Sequence, residues 1–380
     1  MSLTAKIVDS LDEIPAIEWN KLIPDSNPFI RHEFLAGLER YNCLDSHGWS
    51  PAHIVIYDNK IIVAAMPMYI KTNSTGEFVF DWSWAEAFQN AGGEYYPKLV
   101  SAIPFAPVAG PRILIDPKVH NMDALIDLLI SSVCYTAEHN NFSSFHCLFP
   151  DESQLVLFEN YKMNLRMSCQ YHWFNNNYNS FDEFLDTLDS KHRKNIKRER
   201  KSVFDQNIQI EFLKGNEISE QQWNTFYKFY CSTFYRKWGE PRLTLNFFLS
   251  MSEFMPESTI LILAKKNNQY IAGAYAMCSN DTLYGRHWGC SNRYNNLHFE
   301  LCYYQTIEYC IRNGLKCLNA GAQGEHKISR GFIPVKTWSL HWIRNDHFRN
   351  AVKRFLVQET EYIEQYMNNM QLHLPYKNSL

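Results

Sequence analysis

The chain has 380 residues, 46% of them hydrophobic and 20% charged, which excludes a disordered or fibrous protein and, at roughly 100–200 residues per domain, points to two domains. A formal charge of −3 excludes whole-protein attraction to nucleic acid or to an anionic membrane, so any basic site must be local. Glycine supplies 15 residues, below its usual share of about 7%, which counts against a Gly-loop nucleotide fold. The N-terminus carries early acids, and no apolar stretch approaches the roughly 20 residues of a membrane span, so a cytoplasmic protein is expected. Ten cysteines show neither C-x-x-C nor zinc-type Cys/His spacing and read as free thiols, with no metal site.

In chain order, His53–Met68 (HIVIYDNKIIVAAMPM) reads as two apolar strands joined by Asp58-Asn59-Lys60, followed by an aromatic strand at Phe78–Trp82. Tyr95–Ile115 holds prolines at 97, 104, 107 and 111, which exclude a long helix there. The capping box Ser180–Glu183 opens a helix expected to continue through Ser190–Lys201 (SKHRKNIKRERK), where eight of twelve residues are Lys, Arg or His. A further helix is expected at Glu220–Phe234. Ile260–Met277 (ILILAKKNNQYIAGAYAM) then repeats the grammar of the first strand pair, with Lys265–Gln269 as its turn and Leu283–Trp288 as the aromatic strand. Next come a helix at Phe299–Arg312 closed by Asn313-Gly314, a short strand at Lys316–Ala320, a polar loop, and a strand at Thr337–Ile343. From Asp346 an amphipathic helix packs on the body. This is an α/β layout with mixed sheets, divided as 1–170, 171–345 (opening with a basic helix over 180–204) and a C-terminal helix in 346–380.

Three groups of residues could carry chemistry. Arg193, Lys197 and Lys201 lie on one helical line, where like charges four apart cost a few tenths of a kcal/mol each. They call either for phosphates of a substrate or for acidic neighbours on a solvated face. The loop GAQGEHKISRGF (Gly321–Phe332) crowds titratable groups at a strand end, a usual position for α/β sites. Glu325 or His326 could take a proton from an attacking amine, Lys327 could offset charge on a carbonyl oxygen, and Arg330 could hold substrate. The plain alternative is a surface turn with ordinary ion pairs. Third, strand alternation puts Tyr284, Arg286 and Trp288 on one face and His287 on the other; Arg286 and His287 become catalytic candidates and Trp288 a substrate contact. Lys237 and Trp238, after a helix, are read as further cleft-lining contacts.

The tandem strand pairs, the basic helix and the blocks FDWSWAEAF, YYPKL, RKWG, LYGRHWG, HFELCYYQ and GAQGEHKISRGF resemble the FemAB-like family of predicted N-acyltransferases of the peptidoglycan biosynthesis or recognition type. The resemblance covers nearly the whole chain and implies two tandem GNAT-like acyltransferase domains. It implies acyl or aminoacyl transfer to a primary amine, such as that of a cell-wall peptide precursor, in an interdomain cleft. The donor co-substrate would be acyl-CoA or aminoacyl-tRNA, with no tightly bound cofactor. Coenzyme A users carry a glycine-containing turn before the main helix; Asn292–His298 has no glycine, and Gln89-Asn-Ala-Gly92-Gly93-Glu94 comes nearer, which makes Gln89, Gly92 and Gly93 the cofactor-binding candidates. The rival readings are a non-catalytic protein that recognises a peptidoglycan or nucleotide-linked precursor, and an RNA-binding module using the basic helix.

Overall fold

The computed structural model describes residues 3–236, 238–322 and 324–377. Its contacts divide the chain into two units, Met1–Ser168 with Lys336–Gln365, and Cys169–Val335 with Tyr366–Leu380. The sequence-based boundary at 345/346 differs from this division. Lys336–Gln365 belongs with the first unit, because Ser339–Ile343 forms a strand against Ser144–Leu148.

The first unit contains β1 (Leu3–Val8), β2 (Trp49–Pro51), β3 (His53–Asp58), β4 (Ile61–Met66), β5 (Tyr69–Lys71), β6 (Lys98–Ser101), β7 (Leu114–Ile115) and β8 (Ser144–Leu148). The expected strand pair is β3–β4, which with β1 and β7 forms an antiparallel sheet in the order β1-β3-β4-β7. A second ladder runs β8-β6-β5-β2, with β6 and β8 parallel. The helix Met122–His139 starts where Asn121 accepts a hydrogen bond from the Ala124 N–H, and it buries Leu125, Leu129 and Val133 in the same core as Ile54, Ile56 and Met66. The four prolines fall among short strands and loops, and no helix forms across Tyr95–Ile115.

The aromatic strand expected at Phe78–Trp82 is not formed. Phe78 adopts a left-handed φ of 61°, Asp81 turns inward to Lys98, and Trp82 begins the helix Trp82–Asn90. The ion pair overrides strand propensity at this point.

The second unit contains most of β9 (Asn164–Phe174), all of β10 (Gln209–Lys214), β11 (Thr259–Lys266), β12 (Gln269–Cys278), β13 (Thr282–Cys290) and β14 (Cys317–Asn319), and the start of β15 (Ile333–Ile343). The order is β10-β11-β12-β13-β14-β9, antiparallel through β13, with β13 and β14 parallel. Asn267 and Asn268, at φ 52° and 59°, make the mirror-type two-residue turn that suits the twist of β11 and β12. The helix Glu220–Tyr235 lies tight on β13: a Cβ at Gly289 would stand 2.2 Å from the Phe229 backbone. Antiparallel β10-β11-β12 repeats the pairing of β1-β3-β4, as a duplicated unit requires.

The single helix expected over 180–204 is two, Phe181–Thr187 and Ser190–Phe204. Asp189 breaks the run because its side chain caps the second helix, accepting from the His192 N–H at 2.9 Å. The run Leu297–Arg312 ends at Gly314, φ 65°, as its sequence signals, but contains a π turn at Glu300–Tyr304. All ten cysteines are free thiols, and no helix among the described residues is long and apolar enough to cross a membrane.

Candidate active site

The parallel ladder between β13 and β14 is short: Thr282–Tyr284 pairs with Cys317–Asn319, and β13 then continues to Cys290 while β14 stops. At this fork lies a pocket of about 100 Å3, lined on the sheet side by Ala274, Ala276, Gly285, Arg286, Trp288 and Ala320 and on the helix side by His298, Cys302, Tyr303 and Thr306. His298, Cys302 and Thr306 recur every fourth residue on one helical run, and the π turn among them alters the helix wall facing the pocket.

β13 carries a bulge. Tyr275 pairs with His287 and Ala276 with Gly285, so Arg286 is an extra residue. The expected alternation therefore fails: Tyr284 and His287 share one face, and Gly285 and Trp288 share the other. The bulge places Arg286 in the pocket wall, with its guanidinium donating to Gly285 O at 2.9 Å and Asn319 Oδ1 at 3.3 Å. Burial brings its pKa down to about 10, so it keeps its charge. His287 packs against Tyr230 and Tyr275, and burial, reinforced by the Arg286 charge, holds its pKa at about 3. His298 stands edge-on to Trp288, with its pKa lowered to about 4 by burial and then by the His326 charge.

The loop Gly321–Phe332 folds into a 3-10 turn over Glu325–Arg330, which separates its candidates. Lys327 is buried, donating to Gly321 O at 2.7 Å, and it does not line the pocket. Burial, then the Arg286 charge, lowers its pKa to about 7. The His326 ring stands against Phe299, and its Nε2 lies 2.9 Å from the Tyr303 hydroxyl, which links it to the pocket wall. Glu325 is exposed and accepts from the Tyr366 hydroxyl at 2.8 Å. Arg330, read as a substrate contact, is buried instead. It holds Glu199 at 2.8 and 2.9 Å, donates to the Tyr304 hydroxyl, and stacks 3.6 Å over Phe299. A guanidinium with these commitments is structural.

The basic line is answered by acids: Arg193 pairs with Asp186 at 3.3 Å, Lys197 with Asp182 at 3.4 Å and Lys201 with Asp205 at 2.8 Å. Its self-repulsion is relieved within the unit, and the case for a phosphate there weakens. Trp238 is 99% exposed and lines no described pocket; Lys237 lies outside the described residues. Gln89, Gly92 and Gly93 do not form a phosphate turn. They close the C-terminus of the helix Trp82–Asn90, with Gly92 at φ 80° donating to Gln89 O and Gly93 donating to Phe88 O. Carbonyls and the negative end of a helix dipole gather there, which repels a pyrophosphate. The sequence reading missed His298, Cys302, Tyr303 and Thr306. Cys302, Tyr303 and Thr306 lie in the helix expected at Phe299–Arg312, and His298 stands just before it, so the four-residue spacing of 298, 302 and 306 carries no signal apart from that of the helix itself.

The first unit has its own concentration of charge. Lys98 is fully buried and donates to Ser74 Oγ at 3.0 Å, Glu77 Oε2 at 2.9 Å and Asp81 Oδ2 at 2.5 Å. Tyr95 donates to Asp81 at 2.7 Å, and the buried His146 and His341 rings meet nearby through their Nδ1 atoms. Burial raises the Glu77 pKa to about 7 despite Lys98, whereas for Asp81 the Lys98 and His146 charges outweigh burial and lower it.

No curated protein matches the chain. Among solved structures it resembles FemX (TM-score 0.54, 11% identity, covering 93% of this chain and 100% of that one) and L-PGS from Bacillus licheniformis (0.51, 10%, 87% and 98%). It also resembles a conserved protein of unknown function from Bacteroides thetaiotaomicron (TM-score 0.50, 10% identity, 90% and 100%). These likenesses bear out the fold, two tandem units of mixed sheet and flanking helices. Residues 10–378 match the FemAB-like family, described as peptidoglycan biosynthesis/recognition, and the chain belongs to that family.

Proposed function

We propose that the second unit catalyses transfer of an acyl or aminoacyl group to a primary amine, with the donor carbonyl held at the fork between β13 and β14. The observation that carries this reading is the combination at one point of an interrupted ladder, a bulged Arg286 and a narrow pocket floored by alanine and glycine. Backbone groups of β13 beyond Tyr284 face the space that β14 leaves, and there they can meet a tetrahedral oxyanion, with Arg286 adding positive charge. The amine attacks in its neutral form, the C–N bond forms, and the ammonium of the tetrahedral intermediate gives up its proton as the leaving group departs. His298 is neutral at pH 7 and lines the pocket, so it can accept that proton; His326 continues the path through Tyr303. Lys327 acts from outside the lining, its charge near balance at neutral pH.

The family description, peptidoglycan biosynthesis/recognition, supports a peptidoglycan precursor as the molecule bound; in this reading its amine is the acceptor and acyl-CoA or aminoacyl-tRNA the donor co-substrate. A second reading, recognition without turnover, draws on Glu325 and Lys327 lying outside the pocket lining. The test is incubation of the purified protein with labelled acyl-CoA or aminoacyl-tRNA and amine-bearing muropeptides. Labelled amide that is lost in Arg286→Gln supports transfer. Muropeptide binding with no amide from any donor supports recognition.

A further inference from the structure

Whether the transferred group carries a free α-ammonium can be read from the charge of the pocket. Among the described lining residues Arg286 is the charged side chain, and none is Asp or Glu. Among the described residues of this unit, the buried acids Glu300 and Glu199 accept from Arg200 and Arg330 and do not line the pocket. Glu325 is turned to Tyr366 at the surface. The lining histidines, His287 and His298, are neutral at pH 7 and offer no negative charge. Lys327, which interacts electrostatically with the lining residue Cys302, adds a partial positive charge. An ammonium brought to this position loses water, meets a fixed guanidinium and finds no carboxylate, the combination that makes a buried charge most costly.

The floor points the same way. Ala274, Ala276, Gly285 and Ala320 present methyl groups and backbone, and Ile262 adds an apolar side chain to the lining. Such a floor accepts an alkyl chain of a few carbons and sets no carboxylate against an ammonium.

We infer that the donor is a short, uncharged acyl thioester and not an aminoacyl ester with a free α-amine. This rests on the fork being the acyl site, as proposed above. In the step, the acceptor nitrogen forms a bond to the thioester carbonyl carbon and the C–S bond breaks. The thiolate leaves and is protonated, the nitrogen loses one proton, and the products are an amide and a free thiol.

The test uses two thioesters of N-acetylcysteamine that match in shape and differ in charge, propionyl and glycyl, with one acceptor amine and the full-length protein. Rates are compared at about pH 6, where an α-amine is protonated, after subtraction of the uncatalysed reaction. The expected kcat/KM ratio favours propionyl by about 100-fold or more, and Arg286→Gln moves the ratio toward unity. Equal rates, or a preference for glycyl, would overturn this inference and leave the acyl site at the fork intact. No transfer from either thioester, together with none from acyl-CoA or aminoacyl-tRNA, would overturn both.

Discussion

In the first unit Lys98 sits enclosed with two carboxylates, Glu77 and Asp81, whereas in the second Arg286 borders a pocket with no carboxylate among its described lining residues. The two units share the antiparallel three-strand opening and yet bury charge of opposite balance. In the first, every proton of the Lys98 ammonium has an acceptor and the group is closed. In the second, the guanidinium donates to Gly285 O and Asn319 Oδ1 and also borders the pocket. A closed, compensated cluster is what holds a core in register, and an open one of single sign is what receives a ligand.

The largest effect that would test this contrast is expected from Lys98→Met, which strands Asp81 as an uncompensated buried charge. It should lower unfolding stability by about 3–5 kcal/mol, measured by denaturant titration. A loss below about 1 kcal/mol would show that the cluster is not a structural unit. Arg286→Gln should cost little stability and lower transfer by about 100-fold, the usual cost of one preorganised oxyanion partner.

The pH response sharpens the comparison further. Glu77 has a folded pKa of about 7 against an ordinary 4.5, so the folded state binds more protons between those values, and stability falls as pH rises through that window. The neutral buried histidines act with the opposite sign. His146, lowered to about 3, and His298, lowered to about 4, make stability rise with pH up to about 6.5. The informative quantity is therefore the difference between wild type and Glu77→Gln. The variant should gain on the wild type by about 1–3 kcal/mol between pH 5 and 7.5, as chemical denaturation at each pH would show. A constant difference across that range would contradict the assigned burial. The smallest effect is expected from Lys201→Ala, whose pair with Asp205 is exposed: about 0.5 kcal/mol or less in thermal unfolding.

Much of the fold was legible because its signals are local. The strand–turn–strand repeats, the Asn-Gly helix stop and the Ser180 capping box each act within a few residues. The errors have a common source in long-range contacts. Phe78–Trp82 has strand propensity, but Asp81 is drawn to Lys98, which lies in a different element. Arg330 looked available until Glu199, distant in sequence, claimed it. The bulge at Arg286 has no marker in Tyr-Gly-Arg-His-Trp beyond the glycine, and it reverses the faces that alternation assigns. The site was thus half visible: its strand was found, but its helix wall was not. A polar stripe such as His298, Cys302 and Thr306 is distinguishable from a core stripe only once the opposing sheet is known to carry alanine and glycine.

The central claim is that the fork pocket of the second unit is where the acyl group is held, and Ala276→Leu tests it most directly by filling that volume from the strand floor. With folding confirmed by an unchanged cooperative melt, the account predicts a fall in transfer of about 100-fold or more. Transfer at the wild-type rate in the folded variant would place the chemistry elsewhere in the protein.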